Sequence, residues 1–70
     1  MLFKVMTVGR TEALIKKEGD PLISKTIMIP PKTLLDVYAC VRSEETRFVV
    51  WNEQFSSTFF SVAASNCRPA

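Results

Sequence analysis

Length constrains this chain more than any motif does. Seventy residues make one domain rather than two. A domain of that size buries only about 60% of the surface its unfolded chain exposes, so its core is small. Small scaffolds find reinforcement in disulfides, metals or self-association. Cys40 and Cys67 allow at most one bridge. The chain has no histidine, and two lone cysteines cannot complete a tetrahedral zinc site. Self-association is therefore the expected reinforcement. An apolar content of 47% against 23% charged residues excludes intrinsic disorder. No run of about 18 consecutive apolar residues is present to form a membrane-spanning helix.

Period-2 patterning dominates the chain. Phe3 to Val8 alternates as a strand and is punctuated by Gly9. Residues 11–18 read either as a helix, through Glu12, Ala13, Leu14 and Lys16, or as the arm of a long hairpin turning at Gly19-Asp20-Pro21; the turn signal favours the strand. Leu22 to Ile29 is rich in β-branched residues and reads as a strand, stopped by Pro30-Pro31 because proline cannot donate to a sheet ladder. Thr33 to Ser43 reads as a helix. Thr33 serves as N-cap, Asp36 sits in the first turn, and Leu34, Val37, Tyr38 and Val41 form one apolar stripe. Arg47 to Glu53 and Phe55 to Ala64 read as two further strands joined at Asn52-Glu53-Gln54. The expected fold is a two-layer α+β domain over residues 1–64, with one helix at about 33–43 packed on an antiparallel or mixed sheet of four to five strands. Residues 65–70 are expected as a flexible tail.

The composition is poor in catalytic parts. No histidine is available as a base for a serine or cysteine nucleophile. Two glycines are too few for a phosphate-cradling loop, and the nucleotide-binding and hydrolase motifs are absent. Glu44 and Glu45 read as solvated charges at a helix end. The chain is expected not to be an enzyme and to use no cofactor or metal. Cys40 reads as a small apolar residue at the edge of the helix stripe. Cys67-Arg68-Pro69-Ala70 has the length of a prenylation box but lacks its aliphatic middle. The start, Met1 to Met6, places a lysine inside a short apolar run and does not read as a secretory signal. With so few cysteines, a cytoplasmic location is expected.

The aromatic residues carry most of the functional signal. Phe48, Trp51, Phe55, Phe59 and Phe60 fall on the last two strands, and alternation divides them between two faces. A single helix covers one face of a sheet, so the second set of rings is left available. Arg47, Val49 and Trp51 share one strand face, and Trp and Arg are the residue types that most often carry binding energy. These three are the expected centre of a protein-binding surface. The expected function is a small non-catalytic protein-binding module, acting as an accessory or inhibitory protein by docking on a protein partner. Free-standing chains of this length without catalytic groups often serve mobile elements in such roles, an association of size alone.

Two alternatives remain open. The net charge is +2. The first 35 residues hold six cations against three carboxylates, net +3, and the last 35 hold three against four, net −1. Arg10, Lys16, Lys17 and Lys25 could therefore contact nucleic acid, with the strand aromatics stacking on bases. The chain could also be a homo-oligomeric structural subunit.

Overall fold

The computed structural model describes residues 1–16, 24–42 and 44–70. Seven strands form one antiparallel sheet: β1 (Phe3–Thr7), β2 (Thr11–Lys16), β3 (Ser24–Ile29), β4 (Leu34–Arg42), β5 (Thr46–Trp51), β6 (Phe60–Ala63) and β7 (Cys67–Pro69). Their order across the sheet is β3-β2-β6-β5-β4-β1-β7. A 3-10 turn, Ala64–Asn66, precedes β7.

The expected α+β architecture is therefore incorrect: the described residues contain no α-helix, and the sheet has seven strands. The segment expected as a helix is β4, the longest strand at nine residues. Its ladder with β5 pairs Val37 with Val50 and Ala39 with Val49, so Tyr38 is an extra residue in a β-bulge. The bulge advances the side-chain phase by one. Leu35 and Val37 face the core before it, and Cys40 lies opposite core-side Phe48 after it. This broken alternation mimics the spacing of a helical stripe. Val, Tyr and Cys favour a pleated surface over a helix, and cross-strand pairing on both sides of β4 settles the matter.

A lone sheet without a covering helix must bury one face against itself. A row of cross-strand pairs shows how. Val5 lies opposite Leu35, Val37 opposite Val50, Val50 opposite Phe60, Val62 opposite Ala13, and Thr11 opposite Ile29. All of these side chains are buried. The sheet coils around them. In a flat sheet β1 and β3, five strands apart, would be separated by roughly 24 Å. Yet the Thr7 hydroxyl donates to the Pro30 carbonyl, just past β3, at 2.8 Å. It also accepts from the Thr33 N–H at 2.9 Å. The Thr7 backbone carbonyl accepts from the Lys32 N–H at 2.8 Å. Thr7 is thus a fully satisfied buried polar residue that ties the two ends of the coil together. The radius of gyration, 11.2 Å, matches the roughly 11 Å of a folded chain of this length.

Pro30-Pro31 stops β3, as its chemistry requires, and Lys32 completes the turn with φ at 60°. That left-handed conformation suits glycine and costs a lysine about 1 kcal/mol or more. The terminal residues, expected as a flexible tail over 65–70, instead add β7 to the sheet: Cys67 lies opposite Thr7 and Pro69 opposite Val5. Residues 11–16, which the sequence left between helix and strand, form β2, paired with both β3 and β6. The expected strand Phe55 to Ala64 is shorter than its pattern. Asn52–Phe59 form a connection, in which the Asn52 side-chain carbonyl accepts from the Gln54 N–H, and only Phe60–Ala63 pair.

Candidate functional site

The outward face of the β4–β5 pair brings together residues that the core does not use. Asp36 lies opposite Trp51, Ala39 opposite Val49 and Val41 opposite Arg47. Arg47, Val49 and Trp51 therefore share one face, as period-2 alternation requires. Their environments differ. Each nitrogen of the Arg47 guanidinium donates within the chain. Its Nε donates to Ser61 Oγ at 3.3 Å, its Nη2 to the Ser61 carbonyl at 3.0 Å, and its Nη1 to Glu45 Oε1 at 2.8 Å. Arg47 clamps β5 to β6. Using it to hold a partner would first cost these bonds.

Trp51 is half-buried and is the first of three linked rings. It meets Phe59 edge-on, with centroids 5.0 Å apart. Phe59 meets Tyr38 in the same way at 5.2 Å. Such edge-to-face pairs are worth about 0.5–1.5 kcal/mol beyond the area they bury. Phe59 nevertheless keeps 49% of its surface in water and Tyr38 keeps 41%. Val41, on the same strand, is also exposed. Sequence reasoning missed Tyr38, which the bulge carries out of the strand's alternation, and assigned Phe59 to a strand when it ends the β5–β6 connection. The division of the strand aromatics between two faces was the signal that could have found Phe59.

A shallow cleft of about 450 Å³ adjoins Trp51, lined by Leu34, Asp36, Asn52, Glu53 and Gln54. Its shape is held by Asn52, whose Nδ2 donates to the Leu34 carbonyl at 3.0 Å. At its rim Lys4 Nζ lies 3.9 Å from Asp36 Oδ1, an exposed pair worth little in stability. The apolar rings are thus flanked by a polar, mixed-charge border.

Among the described residues the alternative basic set is divided, with Arg10 apart from the rest. Arg10 precedes β2 and is exposed, whereas Lys25 lies near the far end of the hairpin ladder, opposite Ile15. That places them roughly 17 Å apart along the strands. Lys16 ends β2 near Lys25, and Lys17 lies outside the described residues.

Cys40 is exposed on β4 rather than set into an apolar stripe. Cys67 is half-buried, its thiol 3.8 Å from the Ala63 carbonyl, and loss of hydration pushes its pKa above the ordinary thiol value. Among the described residues no three His, Cys, Asp or Glu side chains gather where they could hold a metal. No helix among them is long and apolar enough to cross a membrane. Comparison with protein-family models, curated proteins and solved structures finds no match to this chain.

Proposed function

We propose that the chain is a small non-catalytic protein-binding module, an accessory or inhibitory protein that docks on its partner through the outward face of β4 and β5. The observation that carries this reading is the half-exposed row Trp51, Phe59 and Tyr38. The core closes without these rings, because the inward face buries its own row of aliphatic side chains and Phe60. Aromatic residues ringed by polar ones are the usual anatomy of a protein interface. The centre of the surface moves from the expected Arg47, Val49 and Trp51 to Trp51, Phe59 and Tyr38, with Val49 beside them and Arg47 serving as a clamp. The separation of Arg10 from Lys25 weighs against a nucleic-acid surface, which needs clustered cations.

The test is affinity capture from host lysate with nuclease present, comparing wild type, Phe59→Ser, Tyr38→Ser and the control Val8→Ser. Val8 is exposed between β1 and β2, away from the rings. The expected result is one protein retained by wild type and Val8→Ser and lost by both ring variants. Equal capture by all four overturns the proposal, as does recovery of nucleic acid alone when nuclease is omitted.

A further inference from the structure

The two edges of the sheet are unequal, and the inequality points to a partner. β7 closes one side with only three residues, Cys67–Pro69, and includes a proline and an arginine. Short length, proline and charge are the devices that keep an edge from accepting another strand. β3 closes the other side with six residues in an unbroken ladder, Ser24–Ile29, with neither proline nor bulge. Among the described residues no strand pairs with its outer side. Apart from exposed Lys25, its side chains do not discourage pairing: Thr26 is exposed, Met28 is 52% exposed and Ile27 is half-buried against the core.

We propose that the β3 edge pairs with β3 of a second copy of this chain, antiparallel about a two-fold axis at Ile27. The guarded β7 edge argues for a second copy in this arrangement. Head-to-tail addition of one copy's β3 to another's β7 would propagate without closure. The short, proline-bearing β7 opposes that route, whereas β3 on β3 uses one surface twice and stops at two. Charge selects the register. Lys25 is the one charged residue of β3. Centring on Thr26 would set the two Lys25 residues diagonally, about 7–8 Å apart. Centring on Ile27 separates them by four residues, roughly 14 Å, beyond the screening length at physiological salt. It also covers each half-buried Ile27 with its equivalent, a favourable β-branched pair, and sets Thr26 opposite the partner copy's Met28. The dimer supplies the reinforcement that a 70-residue core lacks. The aromatic row lies on β4, β5 and the β5–β6 connection and takes no part in this pairing.

Thr26 and Met28 are both exposed, so changing them leaves the core intact. Sedimentation equilibrium of the full chain from about 5 to 500 μM reads the result. Wild type is expected to reach twice the 7.9 kDa chain mass. Thr26→Lys with Met28→Lys sets like charges across the axis, and its dimer is expected to weaken at least tenfold. Thr26→Glu with Met28→Lys sets opposite charges there, and its dimer is expected to be retained. A wild type that stays monomeric throughout overturns the proposal. So does a dimer indifferent to the two lysines, or a series of oligomers growing without limit.

Discussion

The two faces of the β4–β5 pair are built from the same two strands and serve different ends. On the inward face Leu35, Val37 and Val50 are fully enclosed, and their cross-strand neighbours Val5 and Phe60 extend the core. On the outward face Trp51, Val49 and Tyr38 are also apolar, yet none is enclosed, and Trp51 and Tyr38 each meet the half-exposed Phe59. Hydrophobicity alone does not distinguish the two sets. The direction in which the sheet coils does, because coiling encloses one face and spreads the other. The inward residues account for the fold, and the outward rings remain for a partner.

The comparison is most severely tested at Phe60. It is buried among Val50 and the rest of the core, so Phe60→Ala is expected to cost about 3–5 kcal/mol. A domain of this size has a total stability of roughly 4–10 kcal/mol, so calorimetry should show a variant that is at best marginally folded. A melting curve close to wild type would mean that the coil closes differently. Thr7→Val comes next. It leaves the Thr33 N–H without its hydroxyl acceptor and takes one of two hydroxyl donors from the Pro30 carbonyl, which keeps that of Thr33, and a loss of about 1–3 kcal/mol in denaturant unfolding is expected.

The outward side should behave otherwise. Phe59→Ser removes two edge-to-face pairs from a solvated position and is expected to cost about 1–3 kcal/mol, with the far-ultraviolet circular dichroism spectrum unchanged. Lys32→Gly relieves the left-handed turn at the price of a floppier unfolded chain and should raise stability by up to about 1 kcal/mol. The smallest effect separates the cysteines. Exposed Cys40 should react with Ellman's reagent first. Cys67, its pKa raised by burial, holds less thiolate at a given pH and should follow, quickening only as the pH climbs further.

The sequence was most legible where a physical rule acts locally. Period-2 alternation marked β1, β3 and β5, and Pro30-Pro31 marked the end of β3. It misled where the rule is interrupted. The bulge at Tyr38 turned a strand into an apparent helix by adding one residue to the alternation. Phe55, Ser57 and Phe59 kept alternating through a connection that pairs with nothing on the ladder. Residues 11–16 and 67–69 are strands because of partners remote in sequence, which local propensity does not report. The site followed the same division. That Arg47, Val49 and Trp51 share a face was readable from spacing. Recruitment of Arg47 by Ser61 and Glu45, and the approach of Phe59 and Tyr38 to Trp51, depend on how distant segments meet.

One pair of unfolding curves tests the division of the two faces most directly: Leu35→Ala against Tyr38→Ser with Phe59→Ser, in guanidinium at equilibrium. Leu35 is fully buried and its truncation should cost about 2–5 kcal/mol, while the loss of both outward rings removes two solvated edge-to-face pairs, about 1–3 kcal/mol together. The double variant should unfold at the higher denaturant concentration. The reverse order would place the aromatic row in the core and contradict the account.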